Sequence, residues 1–315
     1  MNFLKILAAS ALLALSNTVL ANVTPLVDVN WIKNNSCNNN VRVLDIRNAL
    51  DGGSKTDYLK GHIPCAVHTD YLKGGWRAKV KDVVGQLSPT PKLEKLIGSL
   101  GIDNNTHVVI YHHGKNALDL GSATRVYWTF KVLGHDKVSI LNGGYLAYIK
   151  EKGKDKKPVN AIERGNKAPS PKTFTASLRQ DMIIDSGDVM SATKSSSTEL
   201  VDLRPNHQYI GINKHGKAKR YGTIPTSKNL PESWLTKNGG GTFRSNDDVK
   251  KLFGLANLNN GGEKIHFCNT GHWASLGWFV SHELLGNKEA KMYDGSMAEW
   301  TADNGLPMQE TAKIN

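Results

Sequence analysis

The sequence predicts two α/β domains in tandem, each a mostly parallel central sheet flanked by helices, and three observations carry that reading. Short apolar strands alternate with stretches of helical spacing along the chain. Four anchors recur in the same order in both halves, displaced by about 150 to 160 residues. Val43-Leu44-Asp45-Ile46-Arg47 answers Leu200-Val201-Asp202-Leu203-Arg204, and Gly61-His62-Ile63-Pro64 answers Gly222-Thr223-Ile224-Pro225. Tyr111-His112 answers Phe267-Cys268, and Asn142-Gly143-Gly144-Tyr145-Leu146 answers Asp294-Gly295-Ser296-Met297-Ala298. Between the halves lies a stretch rich in lysine, proline and glycine. A duplicated domain follows, with ligands expected at the carboxyl ends of the strands.

The chain opens Met1-Asn2-Phe3-Leu4-Lys5, continues through an apolar run from Ile6 to Leu15, and reaches Val19-Leu20-Ala21 ahead of Asn22. Charged start, apolar core and small-residue end form a secretory signal peptide, residues 1–21, cleaved after Ala21. The apolar core is shorter than the roughly 20 residues that span a bilayer, so no membrane anchor is expected and the mature chain is placed in a bacterial periplasm. What remains suits two domains, 22–149 and 176–315, joined by a linker at 150–175 that contains Pro158, Pro169 and Pro171.

Within the first half, Val41 to Arg47 alternates as a strand that ends in an acid and an arginine. Gly61 and Pro64 mark a turn before Ala66-Val67-His68 resumes an extended pattern. Leu93 to Leu100 reads as a helix, Val108 to Tyr111 as a buried strand, and Val138 to Leu141 as the closing strand. Ala123, Val126, Tyr127 and Phe130 share one face of a further helix.

The formal charge of +12 is scattered, and its densest run, Lys150 to Lys157, reads as a solvated linker. With no zinc-finger spacing, basic helix or aromatic-basic sheet motif, a nucleic-acid partner is not expected; a weak attraction for small anions is. Three cysteines in an exported chain leave at least one unpaired. Cys37 and Cys65 both lie in the first half, and a bridge between them would leave Cys268 free. Whether their Cα atoms come within bridging distance is not written in the sequence.

Cys268 follows the apolar strand Ile265-His266-Phe267 and precedes Asn269-Thr270-Gly271-His272-Trp273-Ala274, after which Leu276, Phe279, Val280 and Leu284 recur at helical spacing up to Gly286. A cysteine between strand end and helix start sits among inward-pointing N–H groups, which favour a thiolate and hold an anionic group on the sulfur. In the first half the same position is His112, followed by His113. Neighbours on an extended strand face opposite ways and no further ligands lie at useful spacing, so neither a metal nor another cofactor is expected and the first domain reads as catalytically silent.

With these residues in view, the chain resembles the two-domain rhodanese-like sulfurtransferases over nearly its whole mature length. The resemblance rests on Asp45-Ile46-Arg47, Asp202-Leu203-Arg204, Gly61-His62-Ile63-Pro64, Asn142-Gly143-Gly144-Tyr145 and the Cys268 to Ser275 loop. It implies an inactive first domain packed on an active second one, and ping-pong transfer of a sulfane sulfur through a Cys268 persulfide. The donor would be thiosulfate or 3-mercaptopyruvate, and the acceptor cyanide, a thiol or a protein. Backbone N–H groups from Asn269 to Ala274, including Thr270, Gly271, His272 and Trp273, would cradle the outer sulfur. Arg204 would take the donor's oxygens, supported by Asp202.

Thiosulfate-preferring members read Cys-Arg-Lys-Gly-Val-Thr, where this loop has the neutral Asn269 and Thr270. Mercaptopyruvate-preferring members read Cys-Gly-Ser-Gly-Val-Thr, and Thr270 supplies a hydroxyl at the serine position. His272 would add a titratable cation and Trp273 a flat apolar wall. Tyrosine phosphatases with a cysteine loop place an arginine where this chain has Ala274, which excludes that chemistry. The rival reading is a periplasmic persulfide carrier serving one dedicated protein without turnover of its own. A monomer is expected.

Overall fold

The computed structural model describes residues 23–166 and 168–314. Residues 1–21, read as a signal peptide, lie outside the described residues.

In chain order the strands are β1 (Leu26–Val27), β2 (Val41–Asp45), β3 (Val67–His68), β4 (Arg77–Val80), β5 (Val83–Leu87), β6 (His107–Tyr111) and β7 (Val138–Leu141). They continue as β8 (Ile183–Ile184), β9 (Glu199–Asp202), β10 (Lys228–Asn229), β11 (Lys264–Phe267) and β12 (Ala290–Tyr293). Two five-stranded sheets, in the orders β1-β7-β6-β2-β3 and β8-β12-β11-β9-β10, repeat each other strand for strand. Every pairing within them is parallel. Such sheets need cover on both faces, which explains why β6 reads as an almost continuous apolar run and why all four residues of β11, Lys264 and His266 included, are buried.

Successive residues of a strand point to opposite faces, and the packing follows that alternation. Val43, Val109 and Tyr111 join Ile32 and Leu141 in an outer core of the first domain, and Leu200, Ile265 and Phe267 join Tyr293 and Trp300 in its counterpart. Leu44, Ile110, Val201 and Cys268 face the other way, into one core that runs from domain to domain through Trp128, Phe130, Trp278 and Phe279. The helix Ala117–Val132 packs there against the helix His272–Trp278. The sequence predicts one apolar face for the first of these; the structure buries nearly all of it, Asp119 and Arg125 included, because the helix is enclosed by both domains. Contact is close enough that a Cβ on Gly121 would lie 2.6 Å from His272 Nε2.

Each domain also sends a hairpin over the other. In the first, β4 and β5 form an antiparallel pair, and the Leu87 N–H donates to Asp294 Oδ2 at 2.6 Å. In the second, Thr236 and Phe243 bridge antiparallel, and the Phe243 N–H donates to Asn142 Oδ1 at 3.1 Å. Asn142 and Asp294 are equivalent residues of the repeated anchor, so the exchange is reciprocal.

The linker is only partly as predicted. Lys150 to Lys157 is largely exposed, but the rest is strapped to the first domain. His62 and Glu163 exchange main-chain bonds at 3.0 Å, the Lys172 N–H reaches Gly98 O at 2.9 Å, and Phe174 is buried beside Phe130. An apolar side chain and a short bridge suffice to hold it down. Cys37 and Cys65 are joined in a disulfide, and Cys268 is a free thiol.

Candidate active site

β11 delivers Cys268 to the carboxyl edge of the second sheet, where the chain turns through Asn269 and Thr270 and Gly271 takes φ +73° to start the next helix. The loop is held from behind by Ser296. Its Oγ accepts the N–H groups of Cys268 and Gly271, each at 3.1 Å, and donates to Tyr293 O at 2.8 Å. The Met297 and Ala298 N–H groups then donate to the carbonyls of Cys268 and Asn269. Ser296 occupies φ +50°, a conformation that the equivalent Gly144 adopts at φ +59° without cost. A serine standing at a glycine position of the repeat is the one sequence signal of this residue.

A cavity of about 450 Å³ opens onto the Cys268 side chain, lined also by Thr270, Trp273, Leu118, Arg77 and Lys217. The sulfur lies at its floor, for Cys268 is only 1% exposed. The N–H groups of Asn269 and Thr270 donate to no acceptor among the described residues.

In the first domain the equivalent loop is filled. The N–H groups of His113, Gly114 and Lys115 all donate to the Asp119 carboxylate, at 3.0 Å for His113 and 2.8 Å for Lys115. His112, in the cysteine's place, is fully buried and meets Gly241 O through Nε2 at 3.0 Å. At Asp119's position the second domain has Ser275, whose hydroxyl turns away to Thr124 Oγ1 at 2.8 Å and His272 O at 2.7 Å.

Part of the charge lining the cavity comes from the first domain. Arg77 lines the cavity, donates through Nη2 to the Thr270 carbonyl and through Nε to Gly85 O at 2.8 Å, and reaches the Tyr71 hydroxyl through Nη1 at 3.2 Å. Tyr71 in turn donates to His272 Nδ1 at 2.8 Å, leaving Nε2–H to bond Leu118 O at 2.7 Å. Those two bonds fix a neutral imidazole, and burial, with Arg77 nearby, pushes its pKa down to about 3. The cationic His272 expected from the sequence is therefore corrected: it is an interdomain tether.

Arg204 is also placed differently from its expected role. It is fully buried, with Nε and Nη2 on the Asp202 carboxylate and Nη2 on Gly222 O at 2.8 Å, and it does not line the cavity. Arg47 makes the same bonds to Asp45 and Gly61 O in the first domain, which has His112 in the place of Cys268. A clamp present in both halves belongs to the fold, since each arginine fastens its strand end to the following turn. Asn269 turns its Nδ2 to Gln208 Oε1 at 2.9 Å. Ala274 lies in the interdomain core, and Gly271 is enclosed by Arg125 and Asp294, so neither side meets the cavity. Thr270 and Trp273 do line it. Arg125 and Asp294 form a buried ion pair across the domains that also holds the Gly271 carbonyl at 3.3 Å. Such pairings are invisible before folding because their members are far apart in sequence.

A sequence model described as "Rhodanese-like domain" matches residues 28–151 and 185–303. A "Putative thiosulfate sulfurtransferase" of Mycobacterium leprae is 31% identical over 293 residues, covering 90% of this chain and 97% of that one. "Sulfur carrier protein TtuD" of Thermus thermophilus is 29% identical over 291 residues, covering 90% and 95%. Among solved structures, SseA of Escherichia coli, described among 3-mercaptopyruvate sulfotransferases, superposes with a TM-score of 0.73 at 24% identity, covering 87% of this chain and 98% of that one. The anaerobic ergothioneine biosynthesis enzyme of Chlorobium limicola gives 0.76 at 21% identity, covering 92% and 71%. The chain belongs to the rhodanese-like family, with two such domains, and is a sulfurtransferase.

Proposed function

We propose that Cys268 carries a sulfane sulfur as a persulfide, taken from a small anionic donor and passed to a thiol or to cyanide. The observation that carries this reading is a free cysteine at the floor of a cavity, beside unclaimed N–H groups and the Arg77 guanidinium. With thiosulfate, the Cys268 thiolate attacks the outer sulfur; the sulfur–sulfur bond breaks and sulfite leaves with the electron pair. With 3-mercaptopyruvate the carbon–sulfur bond breaks, and the departing carbon takes the thiol proton to give pyruvate. Either way the outer persulfide sulfur carries negative charge, which the Asn269 and Thr270 N–H groups and Arg77 are arranged to stabilise. Donor oxygens would meet Arg77, not Arg204. The name of the Thermus relative, a sulfur carrier protein, fits the same covalent intermediate.

Export to an oxidising compartment such as the periplasm is part of the proposal, supported by the signal-like residues 1–21 and by the bridged Cys37 and Cys65. Intact-protein mass spectrometry after incubation with thiosulfate or 3-mercaptopyruvate tests the reaction. A gain of one sulfur, removed by cyanide and missing from Cys268→Ser, is expected. A free, alkylatable Cys268 that neither donor loads would sink it.

A further inference from the structure

The walls of the Cys268 cavity exceed what an inorganic donor can use. Leu50 and Leu72, 38% and 42% exposed, stand among its lining residues, and Leu118 and Trp273 extend the apolar surface inward. An inorganic dianion gains nothing from displacing water from leucine and tryptophan. Arg77, Lys79 and Lys217 supply the charge, and among the described residues no aspartate or glutamate lines the space, although Lys79 also pairs with the exposed Asp82 at 2.6 Å. At about 450 Å³ the cavity falls in the range of roughly 300 to 1,000 Å³ that holds organic ligands. Its occupant must reach a sulfur on the floor while covering leucines on the surface.

We infer that the sulfur acceptor is a thiol on an acidic, partly apolar polypeptide segment, which enters between the β4–β5 hairpin and the loop bearing Lys217; this rests on the persulfide reading above. An extended chain advances about 3.3 Å per residue, so a few residues on either side of the thiol connect floor and surface. Its carboxylates meet Lys79 and Lys217, and its apolar side chains meet Leu50 and Leu72. The acceptor thiol first loses its proton to solvent. Its thiolate then attacks the outer persulfide sulfur, the sulfur–sulfur bond to Cys268 breaks, and Cys268 recovers the electron pair as a thiolate. The acceptor leaves as the persulfide, with no net oxidation.

Two cysteine peptides of equal apolar content, one flanked by glutamates and one by lysines, test this on the full mature chain. At low salt the acidic peptide is expected to discharge the Cys268 persulfide at least about tenfold faster than the basic one, and added salt narrows the gap. In Lys79→Glu/Lys217→Glu the ratio of the two rates falls to about one or inverts. Equal rates in the wild type, or a ratio unmoved by charge reversal, overturn the inference. So does glutathione discharging faster than the acidic peptide. A second readout needs no persulfide: the acidic peptide with serine for cysteine is expected to slow iodoacetamide alkylation of Cys268, and failure to protect overturns the docking. Protection without sulfur loading by either donor would condemn the persulfide reading alone.

Discussion

The His112 loop and the Cys268 loop are copies of one design, and they differ in what fills them. In the first domain the Asp119 carboxylate accepts from three N–H groups, so the anion the loop is shaped to hold is already part of the chain. In the second, Ser275 stands in that position and bonds elsewhere, leaving the Asn269 and Thr270 N–H groups without an acceptor among the described residues. The two loops thus differ in more than the exchange of cysteine for histidine. A backbone nest must hold some anion or water, and in the first loop a side chain already fills that role.

Moving the carboxylate should have the largest effect. Ser275→Asp is expected to close the Cys268 nest and slow sulfur loading at least about 100-fold, as loss of oxyanion donors does elsewhere. Ser275→Ala, which removes the hydroxyl but adds no charge, should retain most loading by the same mass measurement. If both load alike, the comparison breaks.

The converse change acts on stability. Asp119→Ala strands three N–H groups, and a loss of about 2 to 4 kcal/mol is expected in urea unfolding. Donor turnover by the folded fraction should hold.

Arg77 sharpens the contrast between the charges of the two sites. Arg77→Met is expected to lower kcat/KM for an anionic donor about tenfold, and Arg77→Lys to recover part of it. Steady-state kinetics with thiosulfate decide; an unchanged Met variant would remove the cation from the site.

A smaller effect is expected from pH. Folded His272 refuses a proton down to about 3, whereas the unfolded chain takes one below about 6.5. Its contribution is therefore complete above about 6.5 and shrinks as pH falls toward 3. His107 and His266, both pushed by burial down to about 4, add in the same direction. Glu232, raised by burial to about 7, opposes them, losing its stabilisation as pH rises from 4.5 through 7. The urea midpoint should drop between pH 6.5 and 4.5, and His272→Gln should flatten that slope.

The duplicated α/β fold was legible because its strands are buried on both faces and its anchors repeat in order. Cys268 was legible for a related reason, since a strand, a cysteine, a glycine and a helical pattern are all local signals. The surroundings of the sulfur were not. The Tyr71 to Arg77 segment, which only the family resemblance pointed to as a wall of the site, brings Tyr71 to His272 and Arg77 to the Thr270 carbonyl, and no local signal at those residues says so. Arg204 misled because an Asp-x-Arg pair reads alike whether the guanidinium faces a ligand or its own aspartate. The bonds of its twin, Arg47, decide between the two. His272 misled in the same way, since a titratable side chain in a loop announces neither its burial nor its partners.

The reciprocal hairpins have a bearing on dissection. Because β4–β5 of the first half roofs the second half's loop, while the 236–243 turn roofs the first's, no single cut yields a finished half. An excised second half would keep its nucleophile and forfeit its guanidinium, its tyrosine tether and one wall of its entrance. Each half is thus finished only by the other, and the two copies are parts of one site rather than two independent ones.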